Sequence, residues 1–200
     1  MRYAKQPGAD IYAKDTKDTR ARARRPPRRL PCRPRYTGDV NAKSFLGEIA
    51  RELHRLHLDA VLIGNAAAAL QGAPVTTVDF DFLFRSTPAN LRKLKGLAQA
   101  LGATVFRPYY PASELYRVVR DDDGLQLDFM ATIHGVRSFP AARSRATTIV
   151  IEGAPILVAS LADIIKSKRA ARRPRDLAVL DVLEKTREEA DRTKSKAGRG

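Results

Sequence analysis

Residues 76–84 (TTVDFDFLF) restrict the fold more than any other segment of this 200-residue chain. Aromatic and β-branched residues dominate the run, as in a strand. The pleat has a period of two, so Asp79 and Asp81 share one face and Val78, Phe80, Phe82 and Phe84 share the other. The aromatic face needs a cover of helices, and the acidic face needs a cation or water. Such a strand therefore belongs to a sheet with helices packed on it. The neighbouring segments supply both. Phe45, Ile49, Leu53 and Leu56 recur at helical spacing and predict a helix over residues 42–57. Residues 59–64 (DAVLIG) form a short strand, and residues 65–71 an Ala-rich helix ended by residues 72–74. Leu91, Leu94, Ala98 and Leu101 mark one face of a helix over residues 88–101.

Further on, strands at 116–120 and 125–130 flank the polar turn at 121–124, and strands at 147–151 and 156–158 flank 152–155. A helix follows at 161–172, and Pro174 suits the first position of the next one. This mixed order predicts an α/β (α+β) fold, with a central mixed sheet flanked by helices and a C-terminal helical segment.

Charge separates this body from its ends. Residues 1–38 hold twelve Lys or Arg against three Asp, more than half of a net charge of +15. They combine Arg with Pro and show no apolar period, so the segment reads as a basic, flexible arm. Such an arm attracts polyphosphates whatever their sequence; a solubilising leader is the alternative. Residues 39–185 read as the folded domain and residues 186–200 as a charged tail. No apolar run nears the roughly 18 residues of a membrane span. The N-terminus lacks a secretory leader, and Cys32 is the single cysteine. The expected setting is cytoplasmic, with no membrane partner.

The chemistry centres on Asp79 and Asp81. Two strand residues place these carboxylates about 7 Å apart, where they repel unless a cation intervenes. Mg²⁺ fits, because it takes one or two carboxylates together with substrate phosphates, and metals so held activate a hydroxyl and neutralise a leaving pyrophosphate. A solvated acidic face is the bland alternative. Upstream, residues 61–65 (VLIGN) run from a strand through Gly64 into a helix start at Asn65. Backbone N–H groups there favour phosphate, and Gly64 permits close approach. Downstream, Asp128 lies opposite the apolar face made by Leu125, Leu127 and Phe129, so it can complete the metal site or act as general base. Asp121–Asp123 before Gly124 reads as a turn.

At these residues the chain resembles the nucleotidyltransferase superfamily with the polymerase-beta-like fold, and within it the toxin-type members of the AbiEii and MenT kind. Their pattern is a strand ending in Gly-Gly or Gly-Ser, a short helix, Thr-x-Asp-h-Asp on the next strand, and a later third Asp. Here it reads Gly64-Asn65, Thr77-Val78-Asp79-Phe80-Asp81 and Leu127-Asp128-Phe129. Residues 161–177 (LADIIKSKRAARRPRDL) look like the group's C-terminal helical segment. The resemblance covers about residues 60–183. It implies Mg²⁺ held by Asp79, Asp81 and Asp128, and a nucleoside triphosphate such as ATP held by Gly64, Asn65, Thr77 and Lys168, with Arg173 and Asp176 orienting it. The chain departs from the pattern at Asn65, usually Gly or Ser, and at Val75, where Arg is frequent.

The expected activity is transfer of a nucleoside monophosphate (NMP) from a nucleoside triphosphate (NTP) to an acceptor hydroxyl, the 3′ end of tRNA, by a toxin with a cognate antitoxin. One alternative moves the acceptor to a protein or small molecule. The other is a catalytically idle domain that binds RNA or a partner. His54 and His57, His134, and Tyr109 with Tyr110 read as structural. The six basic residues within 166–175 suit an RNA groove or a solvated helix face equally.

Overall fold

The computed structural model describes residues 42–77, 79–108, 110 and 114–197. The chain divides into two units, Met1–Gly38 and Asp39–Gly200, and every described element belongs to the second. The readings made for the basic arm with Cys32, for the domain start near residue 39, for Val78 and for Tyr109 lie outside the described residues.

The elements run α1 (Ala42–Arg55), β1 (Ala60–Ile63), α2 (Gly64–Ala69), β2 (Phe80–Phe84), α3 (Pro88–Ala100), β3 (Thr104–Phe106), β4 (Leu115–Arg120) and β5 (Leu125–Met130). They continue with α4 (Phe139–Arg145), β6 (Thr147–Ile151), β7 (Ala154–Val158), α5 (Leu161–Ala171), α6 (Pro174–Leu177) and α7 (Leu180–Ala197). One mixed seven-stranded sheet has the order β3-β4-β5-β2-β1-β7-β6. β2 pairs parallel with β5, and β1 parallel with β7; the remaining pairs are antiparallel. The fold is thus mixed α/β, with helices flanking a central sheet. Among the described residues no helix is long and apolar enough to cross a membrane.

The aromatic face of β2 is the centre of the core. Phe82 and Phe84 are fully buried, Phe82 stacks on Phe129 of β5 at 4.9 Å between centroids, and Phe84 meets Phe129 and Tyr116 edge-on. In α1 the buried residues Leu46, Ile49, Ala50 and Leu53 recur at helical spacing. Helix starts follow local capping chemistry: Thr87, Ser138 and Ser160 each accept a backbone N–H from the first turn of α3, α4 and α5. Arg120 ties separate elements together. Its guanidinium pairs with Glu48 of α1 and with Asp123, and donates to the Leu101 carbonyl after α3.

Four elements differ from expectation. β2 begins at Phe80 rather than residue 76, because Thr77 Oγ1 donates to both the carbonyl and a carboxylate oxygen of Asp79, bending the chain there. β3 and α4 are additions. α7 continues to Ala197, through the segment expected as a charged tail. That stretch has neither Gly nor Pro before Gly198 and is rich in Glu, Lys and Arg, which are strong helix formers; the helix is anchored near its start by fully buried Leu183.

Removing the Phe82 ring leaves a cavity against Phe129. Phe82→Ala is expected to lower unfolding stability by about 3–5 kcal/mol, read as a lower urea midpoint at unchanged slope.

Candidate active site

The site grows from the register of the sheet. β1 ends at Ile63, whose partner on β2 is Asp81, and the partner of Asp81 on β5 is Asp128. Two carboxylates therefore stand side by side at the centre of the sheet. After Ile63 the chain turns at Gly64, with φ of +69°, into α2. A Cβ at Gly64 would lie 2.6 Å from Asp81 Oδ2. Glycine is favoured twice here, because it takes the left-handed backbone without strain and leaves room for the Asp81 carboxylate.

Asp79 lies one bend before β2, its Oδ1 accepting from Thr77 Oγ1 at 2.9 Å. Burial pushes the Asp81 carboxyl up to about 6, and the charges of Asp79 and Asp128 add to this; Lys168 and Arg175 pull the other way. Asp128 is buried, and both its oxygens accept from Arg117, from Nε and from Nη2, each at 2.7 Å. Arg117 faces it directly across β4 and β5. Sequence reasoning passed over Arg117, although pairing backwards from the turn at 121–124 places it opposite Asp128.

The facing wall comes from α5 and α6. Lys168 Nζ lies 3.0 Å from Asp176 Oδ1, and both side chains are nearly buried. Arg172 turns left-handed with φ of +53°, ends α5, and sets Arg173 at the start of α6. Arg175, read from the sequence only as one of six basic residues within 166–175, lines the same cleft. Asn65 Nδ2 donates to the Thr76 carbonyl at 3.3 Å, which leaves its buried Oδ1 without a partner. One N–H of the amide is held by the Thr76 loop, and the second remains as a donor.

A single cleft of about 680 Å³ is lined by Asp79, Asp81, Asp128, Gly64, Asn65, Thr77, Lys168, Arg173 and Asp176, together with Arg117, Arg175 and His134. Its volume falls within the range of small-ligand sites. His54 and His57 lie elsewhere, in a smaller cavity of about 220 Å³ beside the Asp59–Arg143 pair. Tyr110 is largely exposed, under the Arg107 guanidinium at 4.1 Å.

Among the described residues, no group of three or more His, Cys, Asp or Glu side chains is gathered to hold a metal by itself. Asp128 is turned to Arg117. What remains is a pair, Asp79 and Asp81, and burial together with the Asp79 charge raises Asp81 well above the usual carboxylate range. That donor set fits an ion that takes one or two carboxylates and fills its remaining positions with water and ligand oxygens.

No family model matches the chain, and no curated protein matches it in sequence. Solved structures do match in fold. The antibiotic-resistance factor ANT(2'')-Ia in solution is 16% identical, over 81% of this chain and 97% of that one, with a TM-score of 0.51. The lincosamide antibiotic adenylyltransferase LnuA, lincomycin-bound, is 13% identical over 72% of this chain and 96% of its own, with a TM-score of 0.52. ANT(2'')-Ia in complex with adenylyl-2''-tobramycin gives 16% identity over 78% and 98%, at 0.50. The chain has the fold of these nucleotidyltransferases.

Because the folded Asp81 carboxyl titrates near 6 and the unfolded one near its ordinary value, the folded state binds more protons between the two. Asp81 therefore favours folding at acid pH and erodes stability as pH rises through about 6. Asp81→Asn is expected to stabilise the metal-free protein at pH 7.5 by about 2–3 kcal/mol, with the gain vanishing near pH 4. Urea unfolding at the two pH values reads both.

Proposed function

We propose that this chain is a divalent-metal-dependent nucleotidyltransferase that moves an NMP from an NTP to an acceptor hydroxyl. We propose further that the acceptor is the 3′ end of tRNA and that the chain is the toxin of a cytoplasmic toxin–antitoxin pair. The observation that carries the reading is the pairing of Asp81 with Asp128 beside the Gly64 turn, facing Lys168, Arg173 and Arg175 across one cleft. The fold shared with adenylyltransferases supports it.

Asp79 and Asp81 would hold Mg²⁺. When bound, the metal supplies Lewis-acid charge at the phosphate oxygens. The chain's own groups do the rest. Lys168, held by Asp176, together with Arg173 and Arg175, balances the triphosphate charge. Asp176 orients the Lys168 ammonium rather than touching the nucleotide. Thr77 fixes one oxygen of Asp79, so that its other oxygen points a single way. The second N–H of the Asn65 amide suits an acceptor on the ligand, such as a phosphate oxygen. Asp128 takes the proton of the acceptor hydroxyl as its oxygen bonds to the α-phosphorus. The bond from that phosphorus to the α,β-bridging oxygen breaks, and pyrophosphate leaves. The surplus of positive charge, +15 over the whole chain, suits an RNA acceptor and an acidic antitoxin.

The second reading keeps the mechanism and changes the acceptor to a small molecule. Its support is that ANT(2'')-Ia and LnuA, seen with adenylyl-2''-tobramycin and lincomycin, share the fold. A catalytically idle domain is a weaker reading, because Asp79 and Asp81 remain a costly pair that the chain's own cations offset only in part.

Label transfer from each α-labelled NTP to total tRNA, with Mg²⁺, is expected to mark tRNA. Asp128→Asn should lower the rate by roughly 10²–10⁴-fold, and Asp81→Ala should abolish it. Label on an aminoglycoside or lincosamide instead of tRNA would establish the second reading. Absence of label on any acceptor would leave the idle domain.

A further inference from the structure

β3 closes one edge of the sheet, and its three residues alternate between exposed Thr104, half-buried Val105 and exposed Phe106. Phe106 pairs with Arg117, Arg117 with Asp128, and Asp128 with Asp81. Residues directly opposite in neighbouring strands share a face, so these four side chains form one row. It runs from the sheet edge into the carboxylate pair. Strands lie about 4.8 Å apart, which puts the Phe106 backbone about 10 Å from that of Asp128, within reach of a single nucleotide.

Phe106 is 51% exposed. Among the described residues no other ring and no cation covers its face, whereas Tyr110 lies under Arg107, and Tyr116 lies under Arg107 and against Phe84. The next group inward is the Arg117 guanidinium, about one-third exposed and holding both oxygens of Asp128. Each Asp128 oxygen already accepts one hydrogen bond from Arg117, so the carboxylate takes an acceptor proton more readily once Arg117 releases one of them. A phosphate is the natural competitor for a guanidinium fork, and an exposed ring beside it suits a nucleobase.

We infer that Phe106 and Arg117 form the acceptor platform: the terminal base of a single-stranded RNA 3′ end stacks on Phe106, and its phosphate draws Arg117 off Asp128. This rests on the transferase reading for its chemistry and adds how the acceptor is recognised. Phe106 is a binding residue here, and Arg117 gates the carboxylate.

The test uses the full chain and a short single-stranded RNA carrying 2-aminopurine at its 3′-terminal position or, as a control, well inside the strand. Wild type is expected to quench the terminal probe by stacking and to leave the internal one unchanged. Phe106→Ala should lose the terminal quench and weaken binding roughly tenfold, and Phe106→Trp should restore both. Arg117→Gln should flatten the dependence of log affinity on log salt by about 0.7, the share of one phosphate on a single strand, which a purely structural arginine would not do. Terminal quenching that survives in Phe106→Ala, or a wild type that quenches neither probe, overturns the platform. Stabilisation by Mg²⁺ and NTP, followed by thermal melting, separates the two ideas. If it is absent while the Phe106-dependent quench persists, the transferase reading falls and the platform stands. If tRNA labelling has the same kcat/KM in Phe106→Ala as in wild type, the platform falls and the transferase reading stands.

Discussion

Negative charge packed into the middle of a sheet is the constraint around which the rest is arranged. Parallel pairing of β2 with β5 sets Asp81 beside Asp128, and the bend at Thr77 adds Asp79. Carboxylates so close, and partly out of water, are unfavourable unless cations attend them. The chain brings its cations from two directions. Arg117 arrives from the neighbouring strand and takes Asp128, while Lys168 and Arg175 reach over from α5 and α6 toward Asp81. Asp79 and Asp81 are left as the pair with capacity for more positive charge.

The opposite face explains why the sheet tolerates this. Phe80, Phe82 and Phe84 are buried there with Leu127 and Phe129, so the two strands that carry the acids are also those most firmly held by apolar packing. One alternation serves both purposes: each residue that carries charge lies between two that anchor it. The electrostatic cost on one face is offset by roughly 1.5–3 kcal/mol for each large side chain buried on the other.

Much of this was legible in the sequence, for local reasons. The β2 alternation, the Gly64 turn, the 121–124 hairpin and the basic segment from Lys168 to Asp176 are short-range patterns, and they led to residues that share one cleft. What escaped was either brief or long-range. β3 has three residues, too few for a period to register, and α4 has seven, defined by the Ser138 cap rather than by an apolar stripe. The parallel partnership of Asp81 with Asp128 joins segments far apart in the chain, and no local pattern encodes it. Asn65 shows the other kind of gap. Its identity was plain, but the capture of its nitrogen by the Thr76 carbonyl depends on how the loop after α2 returns.

The doubly constrained glycine has a consequence for how such a chain can change over time. At Gly64 the turn of the backbone and the seat of the Asp81 carboxylate are one and the same requirement. Any replacement strains the chain and displaces an acid in a single step, so no mutational path here trades a little activity for a little stability. A lineage that keeps its carboxylates keeps this glycine, and a lineage that has lost it has been released from both demands at once.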